Sequence, residues 1–444
     1  MQDKRWGRLL AAWWGVALLF PVGASAVAGA EAQDEDPPTR KERLRQQREE
    51  RLKTLEPYEV SSVEARLRRF ETSRGKLTEK GYGGVRLLIG GIDDPAIFGA
   101  ASSGAGLVGG IGYVNGINRD SFRFSIDARY STRRYENILG HIEFPTRRSE
   151  KPVQAFIQAG YRDYREIDYF GLGGATSVDG ESNFRLEDRR LTGGVSIRPH
   201  ETTIIRGGVG FLNSHVLPAE GTSAFDRFTL DQLPGADDPP EYATYIGQLG
   251  FNFFDDGFPA AGVGLNFEVA RFDDRDRGRF DFTRVTADFL TEIPLGYRNR
   301  RLAFRLRTSH SMADAGDQVP FYLMETLGGG TSLRGFDDYR FRDQRNLLMN
   351  LEYRWEVWRY ADFAIFADAG KVFRRAGDLD FSDLEAGYGF GLLIRSPFGG
   401  TFRIDLANSH EGFRIYIGSG AFVDKSALGP PLNNFIIGQP ARQR

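Results

Sequence analysis

Hydrophobic and polar residues alternate along most of the chain after residue 81. From Phe122 to Tyr130 every even-numbered residue is apolar and every odd-numbered residue is polar. Other segments with the same or nearly the same alternation are 302–308, 347–357 and 413–418. Successive side chains of a β-strand point to opposite faces, so a repeat of two residues indicates a strand with one polar and one apolar face. The pattern therefore predicts a protein built from such strands.

Sixteen strands are predicted in this way, and most of them have ten residues or more. Strands of soluble proteins have about 5–6 residues, whereas tilted strands that cross a membrane need about 9–11. An even number of strands is typical of single-chain bacterial barrels. We therefore expect residues 81–422 to form an all-β, sixteen-stranded antiparallel transmembrane β-barrel rather than a soluble sandwich. The predicted strands lie near 81–90, 105–114, 121–131, 136–145, 153–163, 184–198, 203–213, 242–254, 259–272, 280–294, 300–312, 345–357, 361–373, 384–395, 400–408 and 412–422.

Residues 1–30 have the composition of a secretory signal peptide. A net-positive start is followed by an apolar run over residues 9–22 and by small residues that allow cleavage after Ala26 or Ala30. The run is shorter than the ~20 residues of a membrane-spanning helix, and Pro21 interrupts it. The sequence therefore predicts export, and with the barrel pattern it predicts a location in the outer membrane.

Residues 31–80 are predicted to form a charged helical extension in the periplasm, and residues 423–444 a short C-terminal tail. Residues 41–55 are almost all Arg, Lys, Glu and Gln, and a second helical stretch is predicted over 61–72. With only a thin apolar stripe, these helices cannot build a packed domain of their own.

Two roles are open for this extension. It could plug the barrel, or it could remain free so that residues 39–75 bind a client polypeptide or a periplasmic partner. A plug would face the charged side chains that are predicted to line the lumen, namely Arg123, Asp127, Arg305, Arg307, Arg354, Glu356, Arg403 and Asp405.

The amino-acid composition excludes several classes of function. The 58 Lys and Arg residues against 60 Asp and Glu residues leave no basic surplus for binding nucleic acid. The chain has no cysteine, which excludes disulfides and thiolate metal sites. It shows no Gly-x-Ser-x-Gly elbow, and its five histidines lack the spacing of metal ligands. We therefore expect no catalytic residue, no cofactor and no metal site.

Two local patterns carry weaker expectations. The acidic run Asp273–Asp276 is predicted to be a solvated loop, with a weak calcium site as the alternative. Aromatic residues at strand ends are predicted to form the girdles that mark the two membrane interfaces. These aromatic residues are Tyr130, Tyr135, Tyr169, Phe170, Trp358, Tyr360 and Phe373.

The segment 327–336, which reads Leu-Gly-Gly-Gly-Thr-Ser-Leu-Arg-Gly-Phe, resembles the inward-folded sixth loop of the outer-membrane-protein-85 superfamily. That superfamily includes the central subunit of barrel assembly and the transporters of two-partner secretion. Its loop tetrad usually reads Val/Ile-Arg-Gly-Phe/Tyr, and Leu333 takes the first place here. The segments 351–353, 366–370 and 387–407 resemble the strands that follow this loop. The resemblance implies a sixteen-stranded barrel in the outer membrane.

The resemblance also implies where the tetrad residues lie. Arg334, Gly335 and Phe336 would fold into the lumen, and Arg334 would contact Glu352 and Asp368. The alternation permits this contact, because Glu352 and Asp368 both fall in the polar phase of their strands. A planar guanidinium can form paired hydrogen bonds with such carboxylates.

The resemblance implies a non-enzymatic barrel that aids outer-membrane protein assembly or transport across the outer membrane. Members of the superfamily usually carry periplasmic POTRA domains before the barrel, and no POTRA pattern is found in residues 31–80. Two alternatives therefore stay open, a passive channel or porin and a structural barrel that docks a periplasmic partner. The expected partners are outer-membrane lipid and a client polypeptide or periplasmic protein.

Overall fold

The computed structural model describes residues 84–89, 108–114, 122–145, 152–254, 261–296, 299–358, 360–395 and 401–419. The predicted signal peptide, helical extension and C-terminal tail lie outside the described residues. None of the helices in these ranges combines the length and the apolar character that a membrane crossing needs.

Within the described ranges, sixteen strands form one antiparallel sheet in chain order, and two further strands pair with each other. The strands are β1 (Gly84–Ile89), β2 (Val108–Val114), β3 (Arg123–Ser131), β4 (Glu136–Phe144), β5 (Val153–Tyr169), β6 (Ser182–His200), β7 (Thr203–Pro218), β8 (Glu241–Asn252), β9 (Gly262–Asp274), β10 (Phe282–Pro294), β11 (Arg300–Ala313), β12 (Glu325–Leu327), β13 (Phe341–Asp343), β14 (Arg345–Trp358), β15 (Ala361–Phe373), β16 (Glu385–Arg395), β17 (Thr401–Ser409) and β18 (Gly412–Ser419). One short helix, α1 (Ala224–Arg227), and four single 3₁₀ turns (Val178–Gly180, Leu230–Gln232, Phe321–Leu323 and Ala376–Asp378) complete the regular structure of these ranges.

Each of the sixteen predicted strands has a counterpart in the large sheet, so the predicted strand number and direction are confirmed. The main difference is length, because β5, β6 and β7 have 17, 19 and 16 residues. The sequence predicted 153–163, 184–198 and 203–213, so these strands extend two to six residues beyond the predicted ends. The ladder between them continues past the predicted ends as far as the pairs Tyr169–Ser182 and Phe184–Pro218, because a sheet face that leaves the lipid can be polar.

The two faces of the sheet carry opposite chemistry. Apolar side chains on one face are strongly exposed, such as Val209 at 60% and Ile365 at 46%. Polar side chains on the other face are buried, including Asn137, Asp188 and Asp288. An apolar face that is exposed fits contact with lipid, and we call it the outer face. The buried polar face is the inner face.

The connections between strands are long at one end of the sheet and include residues 170–181, 219–240 and 314–344. At the other end, the turn between β6 and β7 contains only residues 201–202. Outer-membrane barrels have short periplasmic turns and longer extracellular loops. We therefore assign the long-loop end to the extracellular side.

An aromatic core fills the inner side of the sheet at the long-loop end. Tyr169 meets Phe228 and Phe321 edge to face, with ring centroids 4.9 and 5.4 Å apart. Phe184 meets Phe321 at 4.8 Å. The hydroxyl of Tyr169 donates to the carbonyl of Gln232 at 2.5 Å, so its polar atom is satisfied within the core.

The prediction of interfacial girdles is wrong for most of the aromatic residues that it named. Tyr130 is exposed on the outer face as predicted, but five of the others are nearly buried within the protein. The register of β5 shifts between Tyr164 and Ile167, and this bulge turns Tyr169 to the inner face. One inserted residue reverses the alternation, which a sequence pattern cannot reveal. The buried residues are Tyr135, Tyr169, Phe170, Tyr360 and Phe373.

Candidate functional site: the inward loop and its buried arginine

The connection between β11 and β14, residues 314–344, folds onto the inner face of the sheet. Its strands β12 and β13 pair in a small antiparallel ribbon. Phe336 packs against Phe341 with ring centroids 5.2 Å apart. Both belong to a buried cluster that also contains Leu348 of β14 and Val372 of β15, which are inner-face residues. Apolar packing therefore holds the loop against the strands that follow it.

Glycine and serine form the tight bend that presents the tetrad. Gly328 and Gly335 have φ values of 123° and 102°, a region that residues with a Cβ rarely adopt. The Ser332 hydroxyl accepts from the backbone N–H of Gly328 at 3.0 Å and donates to the carbonyl of the same residue at 2.7 Å. The bend places Arg334 with its side chain fully buried.

Arg334 makes the contacts that the resemblance implied. Its Nε and Nη2 donate to the two carboxylate oxygens of Asp368 at 2.6 and 2.8 Å, a bidentate pair. Its Nη1 donates to Glu352 at 2.7 Å, and its backbone N–H donates to Asp368 at 3.2 Å. The guanidinium carbon lies 3.4 Å from the ring centroid of Phe366. One side chain therefore joins the loop to β14 and β15.

The ion pair extends into a network that the sequence did not predict. Arg403 donates to Glu352 and to Asp405, both at 2.5 Å, and thereby joins β14 to β17. Arg354 approaches Glu352 at 2.6 Å from the same strand. Arg334 also lies 3.5 Å from Asp405. The alternation placed Arg354, Arg403 and Asp405 on the polar face, and Arg354 lies two residues from Glu352 on the same strand, but only the curvature of the sheet brings Arg403 to Glu352.

The inner face of β16 carries glycines where the loop lies closest. A Cβ at Gly387 would collide with the backbone carbonyl of Arg334. A Cβ at Gly389 would lie 2.8 Å from the ring of Phe366. The Gly-x-Gly-x-Gly run of β16 therefore leaves room for the loop and for the aromatic ring beneath the guanidinium.

At the extracellular side the loop also contacts strand β18 and the β5–β6 and β17–β18 connections. The Tyr416 hydroxyl of β18 accepts from the backbone N–H of Gly335 at 2.9 Å and donates to the carbonyl of Phe336 at 2.7 Å. Arg340 donates to Thr176, between β5 and β6, at 2.7 Å and to Glu411, between β17 and β18, at 2.8 Å. Because one loop reaches both connections, the sheet must curve around it.

The acidic loop considered as a calcium site has a different organisation. The carboxylate of Asp274 accepts backbone N–H bonds from residues 276, 277, 279 and 280. It therefore caps its own loop. In the described ranges, one group of three carboxylates has ligand atoms within 4.8 Å, namely Asp281, Asp314 and Asp317. Arg271 binds Asp314 there through two contacts of 2.8 Å.

Fold and site together define a class of protein, an outer-membrane β-barrel with an inward loop whose arginine is bound by carboxylates of the wall. Residues 123–420 match the Omp85 superfamily domain, and the chain belongs to this superfamily. The resemblance, the fold class and the outer-membrane location predicted from the sequence are thereby confirmed. A search of curated proteins finds no match.

Two solved structures show the same fold at low identity. BamA from Haemophilus ducreyi lacking POTRA domains 1–3 is 15% identical, with a TM-score of 0.54, and the match covers 81% of each chain. CdiB from Escherichia coli is 14% identical, with a TM-score of 0.51. That match covers 76% of this chain and 62% of CdiB, so this chain spans less than two thirds of the length of CdiB.

Arg334 and Asp368 should be energetically coupled. We expect Arg334→Ala and Asp368→Asn each to lower the temperature at which the folded band disappears from unboiled gels. A lost charge-assisted hydrogen bond costs ~1.5–3 kcal/mol, and an uncompensated buried charge about 3–5 kcal/mol. The double variant should lose less than the sum of the two single losses.

The matched control for this comparison of single and double variants is Asp288→Asn. Asp288 is also a buried inner-face carboxylate, but Arg305 binds it at 3.0 Å and it shares no hydrogen bond with Arg334. Its effect should therefore add to that of Arg334→Ala. Additive losses for positions 334 and 368 would show that their contact does not stabilise the fold.

Gly387→Ala should displace the loop, because the added methyl group would occupy the position of the Arg334 carbonyl. We expect a lower unfolding temperature on the same gels and faster protease cleavage within residues 314–344. The control is Gly418→Ala in β18, where an added Cβ would have no atom within 4 Å. Equal behaviour of the two variants would contradict the close packing of the loop on β16.

Proposed function

We propose that this protein is a non-enzymatic barrel that aids the insertion of outer-membrane proteins or the transport of polypeptides across the outer membrane. Membership of the Omp85 superfamily supports this at a coarse level. The likeness to BamA and CdiB supports the fold alone. The specific role rests on how the inward loop meets the last strand of the sheet.

The contact between the inward loop and β18 is the observation that carries the proposal. In the described part of the chain, β18 pairs only with β17, and β1 pairs only with β2. The loop supports β18 from the inside through Tyr416 and through Arg414, whose Nε donates to Asp337 at 2.7 Å. An edge strand offers backbone groups to an incoming strand. The loop would keep β18 in place while its outer edge receives a client strand.

The charged inner face supports a second proposal, that residues 39–56 plug the barrel. Oppositely charged pairs continue along the wall beyond the loop. Arg305 binds Asp288 at 3.0 Å, and Arg162 pairs with Asp188. A helix that carries charge on every side could lie against such a polar wall, whereas it would gain nothing from contact with lipid. In the alternative role, residues 39–75 stay outside the barrel and bind a periplasmic partner. Measurements of conductance distinguish this role from the plug.

Insertion activity can be measured with liposomes that contain the full mature protein. The probe is a urea-unfolded eight-stranded outer-membrane barrel, whose folding is followed by the heat-dependent shift of its gel band. We expect faster insertion than into protein-free liposomes and a several-fold loss with Arg334→Ala. Arg305→Ala, which changes an inner-face arginine outside the loop network, should retain the activity. Steady conductance without faster insertion would favour the passive channel instead.

Removal of residues 31–77 should show whether the extension plugs the barrel or remains free to bind a partner. In planar bilayers, a plug predicts a higher conductance or open probability for the shortened protein than for the full mature chain. High salt should partly mimic the removal, because it screens contacts between charges. Identical currents from both proteins at every ionic strength would eliminate the plug.

A further inference from the structure

The connection between β15 and β16, residues 374–384, exposes two large apolar side chains outside the strands. Phe381 is 71% exposed, more than any other aromatic side chain in the described ranges, and Leu379 is 46% exposed. Elsewhere in the sheet, large apolar side chains with comparable exposure lie mainly on the outer face, where they meet lipid. An exposed phenylalanine on a loop therefore raises the question of what it contacts.

The loop lies against the outer face of the barrel. In β15 the inner residues are Asp368 and Val372, so the alternation turns Lys371 outward. The ammonium group of Lys371 lies 2.5 Å from the carboxylate of Asp380, in the middle of the loop. Lys371 is only 8% exposed although it points outward. The carboxylate of Asp380 therefore lies on the outer side of β15, near the extracellular end of the strand.

The contact between Lys371 and Asp380 lies at the upper edge of the apolar band. Lys371 pairs in register with Leu347, which pairs with Thr308. The next outward row toward the periplasm, Ala369 with Met349 and Leu306, is entirely apolar. Lysine and aromatic side chains favour this interface, because the charge reaches the headgroups while the apolar part meets the acyl chains.

The loop presents Phe381 in a fixed position and carries a formal net charge of only −1. Both the backbone N–H and the hydroxyl of Ser382 donate to Asp380, at 3.0 and 2.6 Å, so the residues on either side of Phe381 are tied together. The two basic residues of the loop are Arg374 and Arg375, its three acidic residues are Asp378, Asp380 and Asp383, and Lys371 of β15 binds Asp380. Repulsion from anionic lipid is therefore small.

We propose that the β15–β16 loop is a lipid anchor that inserts Phe381 and Leu379 into the outer leaflet. The contact between Lys371 and Asp380 holds the loop against the wall, and the two apolar side chains continue the lipid-facing surface beyond the ends of the strands. This continuity selects lipid as the occupant. The proposal rests on the outer-membrane location and is independent of the proposed function.

The test uses spin labels, which are easy to place because the chain has no cysteine. The variant Phe381→Cys carries a nitroxide in the full mature protein, reconstituted in phosphatidylcholine vesicles. Accessibility to oxygen, which concentrates in lipid, is compared with accessibility to a water-soluble nickel complex. Ile365→Cys is the lipid-facing reference, and Asp231→Cys, at an exposed charged position of the β7–β8 connection, is the water-facing reference.

We expect an oxygen-to-nickel accessibility ratio at position 381 that is several-fold above that at position 231 and close to that at 365. A ratio equal to that at position 231 would place the side chain in water and overturn the proposal. Exclusion of both reagents together with dipolar broadening between labels would also overturn it, because a second copy of the chain would then cover the loop.

The role of Asp380 has its own matched control. Asp380→Asn, made together with Phe381→Cys, removes the ionic contact with Lys371 and should lower the accessibility ratio several-fold. Asp383→Asn removes the same charge from the same loop, and asparagine tolerates the positive φ of 51° at this position. It should leave the ratio unchanged. Equal effects of both substitutions, in variants that keep the heat-dependent gel shift, would refute the proposed attachment.

Discussion

Burial of the Arg334 guanidinium is the constraint on which the rest of the inner structure depends. A charge removed from water costs several kcal/mol unless partners with good geometry surround it. These partners come from three strands, since Asp368 lies on β15, Glu352 on β14 and Asp405 on β17. No single strand can satisfy the arginine. The loop position and the curvature of the sheet must therefore be reached together.

The side chains packed around Arg334 support its contacts with the carboxylates. Phe366 lies beneath the guanidinium, and the glycines of β16 leave space for the loop backbone. Tyr416 then ties the tetrad to β18, and Arg340 ties the same loop to the β5–β6 connection. A disturbance at Arg334 therefore has a direct path to the edge of the sheet. This path is the physical basis for relating the inward loop to the handling of client strands.

Strand β15 has a different task on each of its faces. Asp368 points inward and binds the buried arginine, whereas Lys371, three residues later, points outward and binds the β15–β16 loop. The inner contact joins parts of the barrel to one another. The outer contact, in our proposal, joins the barrel to the lipid. Both contacts are possible within four residues of one strand, because side chains an odd number of positions apart point to opposite faces of the sheet.

The sequence by itself determined the sixteen strands and their two faces, because the alternation of side chains follows from local backbone geometry. The motif around Arg334, through its family resemblance, also indicated Glu352 and Asp368. Only the tertiary structure decided that Arg403 reaches Glu352 and that Tyr169 turns inward. The first depends on how far the sheet curves, and the second on one bulge. Both are set by contacts between residues distant in the chain, which a period of two does not encode.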